Sequence, residues 1–153
     1  MNLSKHCILT ALSVFIVLLA GCGKSGSTAT TEPFTLRIVD LSNKPIASGH
    51  LLLPRDIPAI SQFTGSYEIV VADAPEKPSS QHDYAILCLS QNKGAFSGSV
   101  RDSVIRINLH PLVKDANVYL EGKLTEQLFK GKCFYQSYAG YEPFGTFEAI
   151  RKP

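Results

Sequence analysis

From Phe34 onward, apolar and polar residues alternate in short runs broken by turn residues. In FTGSYEIVVAD, Phe63, Gly65, Tyr67, Ile69 and Val71 share one face. In SVIRINLH, Ile105, Ile107 and Leu109 oppose Val104, Arg106, Asn108 and His110; in NVYLEGKL, Val118, Leu120, Gly122 and Leu124 oppose Asn117, Tyr119, Glu121 and Lys123. A period of two sends one set of side chains to a core and the other to water, which is the pattern of a half-buried strand. The same reading predicts strands over residues 35–40, 46–53, 84–91, 96–101, 129–137 and 145–151, nine in all. Ser42-Asn43-Lys44-Pro45, Gln91-Asn92-Lys93-Gly94, Ala139-Gly140 and Glu142-Pro143 supply turns between them. Residues 59–63 have room for one helical turn, and no amphipathic helix is expected elsewhere in the domain.

Short strands at hairpin spacing predict an all-β domain with antiparallel neighbours, a barrel or a sandwich. Gly65, Gly98, Gly122, Gly131 and Gly145 fall within or at the ends of the strands, where glycine marks a bend that lets a sheet curl. That favours a single closed barrel of about eight strands, which also leaves no open edge.

The first residues follow a different pattern. Lys5 precedes an apolar run from Ile8 to Leu19 that ends in the small residues Ala20 and Gly21, the layout of an export signal and too short for a retained span. Gly23-Lys24-Ser25 is the tail of a phosphate-loop pattern, but Leu18 stands where its first glycine belongs and no helical period follows. Leu19-Ala20-Gly21-Cys22 resembles the lipobox of bacterial lipoproteins. The resemblance implies that residues 1–21 are removed and that Cys22 carries a diacylglyceryl group; the alternative is an ordinary signal peptide with an incidental cysteine. Several acyl chains at one terminus would give stable membrane attachment. With Gly23 after the cysteine, the resemblance further implies an outer-membrane protein facing the periplasm in a two-membrane envelope. Residues 22–33 are then the lipidated cysteine and a Gly/Ser/Thr-rich linker, and residues 34–153 a single domain.

Loss of residues 1–21 removes Lys5 and no acidic residue, leaving 14 basic against 13 acidic side chains. So balanced a chain gives no electrostatic reason to expect nucleic acid as a partner. In this reading Cys7 leaves with the signal and Cys22 is acylated, so Cys88 and Cys133 are the remaining pair in an oxidising compartment. A disulfide between them is expected, typically worth ~2–4 kcal/mol where the Cα atoms lie within ~7 Å. Two separate buried thiols are the alternative.

Candidate chemistry is sparse. His50, His82 and His110 lie on separate elements with no metal-ligand spacing, and no nucleophile elbow or paired carboxylates occur. His82-Asp83 follows a Pro/Ser-rich stretch and reads as a solvated loop pair, and His110-Pro111 as a strand end. No catalysis, metal or cofactor is therefore expected. FYQSYAGYEPFG stands out, with Phe134, Tyr135, Tyr138, Tyr141 and Phe144 around one turn. Tyrosine pairs a large apolar body with a hydroxyl, so this segment is either a contact rim for a ligand or protein, or an aromatic plug closing one barrel end. Tyr67, Tyr135 and Phe147 are expected to face inward beside Cys133, filling an eight-stranded barrel or lining a small cavity.

The series F-x-G-x-Y at Phe63 to Tyr67, F-x-G at Phe96, L-x-G at Leu120, F-x-G-x-C at Phe129 to Cys133 and G-T-F-E-A at Gly145 to Ala149 resembles small calycin-type barrels, the lipocalin and avidin-like folds. Upstream, LRIVDLSNKPIASGHLLLP is similar to the first hairpin of transthyretin-like or carboxypeptidase-regulatory-like sandwiches, which makes a transthyretin-like or immunoglobulin-like sandwich the alternative fold. The expected function is a membrane-anchored, non-catalytic binding or structural module of the envelope. Its partner would be an envelope protein, an attacking hydrolase that it inhibits, or a small apolar ligand carried in the barrel, with Tyr67, Tyr135, Tyr138, Tyr141 and Phe144 as candidate contacts.

Overall fold

In the computed structural model, which describes residues 30–91 and 93–153, the alternating runs form eight strands. These are β1 Thr31–Asp40, β2 Pro45–Pro54, β3 Gln62–Val71, β4 Lys93–Arg101, β5 Val104–Asn108, β6 Asn117–Leu124, β7 Leu128–Ser137 and β8 Gly140–Arg151. Each pairs antiparallel with the next, and β1 pairs with β8, placing Ile38 opposite Phe147 and closing a barrel. The sandwich alternative is set aside by that closure. The lipobox and Cys22 lie outside the described residues.

Residues 84–91, expected as the ninth strand, instead fall largely in a helix, α1 (Gln81–Leu89). The run Tyr84-Ala85-Ile86-Leu87-Cys88-Leu89 is apolar at every position, so its periodicity fits either structure. The decision is made upstream: the Ser80 hydroxyl accepts from the Asp83 N–H (3.1 Å) while the Asp83 carboxylate accepts from the Ser80 N–H (3.1 Å). This reciprocal cap satisfies amides that a helix start leaves unpaired. Ala85, Ile86 and Leu89 then face the barrel.

Two boundaries also move. β1 starts at Thr31, ahead of the strand expected from residue 35, with Glu32 held between Arg55 (2.7 Å) and Arg151 (3.0 Å) where the first and last strands meet. The helical turn expected at 59–63 is a 3₁₀ turn at Ile57–Ala59. Glu142-Pro143 is not a turn but part of β8, where Pro143 sits opposite Phe134 beside a register shift. A bulge is where a strand tolerates a residue that cannot donate to the ladder.

The inward face fills the barrel. Phe34, Leu36, Ile38, Leu51, Ile69, Phe96, Ile107, Leu120, Phe129 and Phe147 are buried, with Phe129 and Phe147 edge to face at 4.7 Å. Glycines allow this packing where strands cross closely: a Cβ on Gly122 or Gly131 would be driven into the carbonyl of Lys130 or Glu121 across the β6–β7 pair. A Cβ on Gly98 would meet the Phe63 ring. Connections alternate between the two barrel ends. One end carries the β1–β2 turn, α1, the β5–β6 loop and the β7–β8 turn, and the other carries the chain entry at Thr30, the 3₁₀ turn with buried Ile57, and the β4–β5 and β6–β7 turns.

Candidate functional site at the helix-capped end

The residues of the FYQSYAGYEPFG segment are separated by strand alternation and by the register shift. Tyr135 on β7 points inward with Cys133, and Tyr67 on β3 is buried as well. Pairing runs from Cys133–Gly145 to Phe134–Pro143, so Phe144 is the extra residue of the bulge; it is buried, 6.3 Å from the His82 ring. Tyr138 stands at the β7–β8 turn, 88 % exposed, with its hydroxyl donating to the Asp115 carboxylate of the β5–β6 loop (2.5 Å). That bond pushes the Tyr138 phenol upward in pKa.

Tyr141 belongs to the outer wall. Its ring stacks on Phe134 (4.6 Å, 7° between planes) and meets Tyr119 edge-on at 5.7 Å. The Arg106 guanidinium lies over Tyr119 (4.1 Å) and Tyr141 (4.9 Å) and pairs with Glu121 (3.0 Å). Burial, followed by a hydrogen bond to Glu121, raises the Tyr141 pKa. Beside this cluster, outward side chains of β3–β6, including Gln62, Thr64, Ser97, Ser99 and Asn108, line a shallow cleft of about 630 Å³. Its small polar groups are those of a wetted strand surface. A smaller cleft of about 350 Å³ opens at the helix-capped rim between Asp40, Leu41, His82, Tyr135, Glu142 and Phe144.

The expected Cys88–Cys133 disulfide is not formed; both thiols are free. Cys133 sits within β7 opposite Leu120 and Gly145, fully buried in the barrel, whereas Cys88 rides on α1 at the barrel mouth with its thiol 3.9 Å from the Ala116 carbonyl. Elimination left two cysteines, but the helix holds one of them above the mouth. Burial raises the pKa of both, most strongly for Cys133.

Sequence reasoning missed the polar group beneath α1. His110, expected on the wet face, is 5 % exposed. Strand β5 ends at Asn108, whose side-chain oxygen accepts the His110 N–H (2.9 Å); the alternation stops there and the imidazole is placed edge to face with Tyr67 at 6.1 Å. The Cys88 carbonyl faces the ring, yet neither ring nitrogen has a hydrogen-bond partner of good geometry. Burial lowers the His110 pKa, with the Cys88 carbonyl partly opposing it. The Cys88 thiol interacts with the Tyr135 hydroxyl, and Tyr67 lies close enough for its phenol to be raised by Cys88 after burial. Asn117, also buried, donates to the Val113 carbonyl (2.7 Å) and shapes the same loop. The only advance sign was Asn108-Leu109-His110-Pro111, an Asx residue ahead of a proline.

A cysteine on α1 and a histidine under it raise the question of a nucleophile and its base, but it is the Cys88 backbone carbonyl that faces the imidazole, and an activated cysteine needs a lowered thiol pKa and a partner able to hold the proton. Here burial moves the thiol up and the imidazole down, so both stay neutral. Among the described residues no group of three His, Cys, Asp or Glu side chains could hold a metal ion. Comparisons with protein-family models, curated proteins and solved structures gave no match.

Proposed function

We propose that this chain is a lipid-anchored envelope protein, attached through Cys22, whose barrel is a side-chain-filled scaffold that presents its helix-capped end to a protein partner. The observation that carries this reading is the distribution of exposed apolar side chains. Leu41, Tyr84, Leu87, Leu112, Val113 and Tyr138 are all exposed on the loops and helix of the end opposite the chain entry, Leu112 at 96 %. The rim pieces are tied together by Tyr138–Asp115, by Ser137 donating to Gln81 (3.2 Å) and by Cys88 against Ala116. Exposed apolar groups gathered on rigidly held loops are how a scaffold meets a partner. A carrier role is disfavoured because the inward positions are occupied by buried side chains.

The charge at this end favours a basic partner. Asp40, Asp73, Glu76, Asp83, Asp115 and Glu142 outnumber Lys44, Lys77, Lys93 and Lys114. An acidic rim around apolar side chains suits a cationic wall-attacking hydrolase, and inhibition of such an enzyme is the reading's most specific form. The test has two arms. Cell fractionation of the wild-type chain should place it with membranes, and Cys22→Ser should release it; a variant that stays membrane-bound would remove the anchor. Titration against a basic wall hydrolase should give a one-to-one complex and lost turnover, reduced at least tenfold in affinity by Tyr138→Asp. Inhibition indifferent to Tyr138→Asp and Leu112→Asp would reject the rim as the contact.

A further inference from the structure

The cleft on the outer wall of β3–β6 differs from the rest of the barrel surface in the charge it lacks. Two rows of outward side chains cross these strands. In one, Gln62 stands opposite Ser99, Ser99 opposite Arg106 and Arg106 opposite Glu121. In the other, Thr64 stands opposite Ser97, Ser97 opposite Asn108 and Asn108 opposite Tyr119. Ser97 and Ser99 are the shortest members, so β4 is the floor of the trough and Arg106, Asn108 and Tyr119 form its higher wall. Among the described residues that line it, Arg106 is the only charged one, and the one wholly hydrocarbon side chain, Phe63, is buried against Gly98. The wall of β6–β8, by contrast, exposes Lys123, Lys130, Lys132 and Glu148. Small polar groups by themselves make a wetted strand surface; an uncharged trough of them beside a fixed guanidinium shows the depletion of charge that marks the centre of a contact patch.

We propose that this trough binds a neutral oligosaccharide chain. The lining groups select the class. The hydroxyls of Thr64, Ser97 and Ser99 and the amide of Gln62 each donate and accept, which matches sugar hydroxyls that do both as well. Arg106 is met by Glu121 (3.0 Å), so the pair brings no net charge to hold a phosphate or carboxylate chain. No exposed hydrocarbon is offered to a lipid, and the closed barrel has no strand edge for an extended peptide. The wall is set before any ligand arrives. Arg106 is held over Tyr119 (4.1 Å) and Tyr141 (4.9 Å), and the Asn108 amide accepts from the His110 N–H (2.9 Å) and donates to the Tyr119 hydroxyl (3.4 Å). A fork of donors fixed in advance lowers the ordering cost of binding. Glu121 does not saturate that fork: Arg106 Nε is buried without an aligned hydrogen bond, and the side chain stays 42 % exposed toward the cleft. The volume of about 630 Å³ lies within the ~300–1,000 Å³ usual for small-molecule sites. The trough is on the side of the barrel, so the proposal holds or fails apart from the rim and from acylation of Cys22.

The test is a calorimetric titration of the full chain, purified in a detergent without a sugar headgroup, against cellotetraose, maltotetraose and chitotetraose. At least one should bind one to one, with the same affinity at about 50 mM and about 500 mM salt because no net charge is engaged. Ser97→Arg, which fills the floor, and Arg106→Lys, which keeps the charge and loses the planar fork, should each weaken binding at least tenfold. Lys130→Ala on the β6–β8 wall and Leu112→Asp on the rim should leave it unchanged. Circular dichroism of each variant reports whether the barrel is intact, and Ser99→Arg on the same floor replaces either variant that misfolds. No binding of any of the three sugars at millimolar concentration would overturn the site, as would binding indifferent to Ser97→Arg. Binding abolished at the higher salt would overturn it too, since Arg106 would then be serving an anion.

Discussion

At the scale of a residue, His110 decides how stability responds to mild acid. In the unfolded chain it binds a proton near pH ~6.5, whereas burial holds its folded pKa lower. Above that pH neither state is protonated and the group contributes no pH dependence. As pH falls below it, the unfolded chain takes up a proton that the folded chain resists, and stability is lost down to the folded pKa at up to ~1.4 kcal/mol per pH unit. Denaturant midpoints measured from about pH 7.5 to about 5.5 should therefore decline, and His110→Phe should remove that part of the slope. The variant should lose less stability toward the acid end, because it has no buried imidazole that resists protonation. A difference curve that stays flat across this range would mean that the imidazole is protonated as easily inside as outside. Asp83 acts in a separate window: hydrogen bonds from Ser79 and Ser80 lower its pKa, so its contribution is lost only as pH falls through and below the ordinary carboxylate range.

At the scale of an element, α1 is the piece whose stability depends most on a few bonds. It is nine residues long, too short to persist without support, and rests on the barrel through Ala85, Ile86 and Leu89. Ser80→Ala removes the hydroxyl that accepts the Asp83 N–H and should cost about 1 kcal/mol at the helix start. Hydrogen exchange is the measurement: amides of residues 84–89 should exchange several-fold faster while those of β1, β7 and β8 keep their protection. Uniform acceleration would show instead that helix and barrel open as one unit. The contrast between helix and strands also explains what could be read in advance. Period-two alternation across β3, β5 and β6 depends on one wet face, and it was visible. The helix was not, since Tyr84 to Leu89 offers no polar position to set a phase and a serine–aspartate pair carried the boundary. The five aromatics of the FYQSYAGYEPFG segment are parted for a related reason: a single extra residue at Phe144 buries one ring, while alternation leaves Phe134 and Tyr141 on the outer wall. The inward places of Tyr67, Tyr135 and Phe147 were legible because no bulge falls between each of them and the strand pattern that predicts it.

At the scale of the whole molecule, antiparallel meander topology gives the barrel two unlike ends, a difference on which the proposed anchor would act. The chain enters at Thr30, and every loop bearing the exposed apolar rim lies at the far end. Cys22 and Thr31 are nine residues apart in sequence. Ten-residue strands such as β1 and β7 run ~33 Å along their length, somewhat less along a tilted barrel axis. Were Cys22 acylated as proposed, the β4–β5 turn would lie nearer the bilayer than Tyr138 and Leu112, which stand at the other end of the barrel. Fluorophores on Cys substituted at Arg101 or at Leu112, in lipidated protein on vesicles containing a headgroup quencher, should separate the two ends: strong quenching from position 101 and weak quenching from 112. Equal quenching would mean that the barrel lies on its side, which would set an outer wall against the membrane and withdraw the rim from free encounter. Reversed quenching would bury the rim in lipid and make its apolar side chains membrane contacts instead of a protein interface.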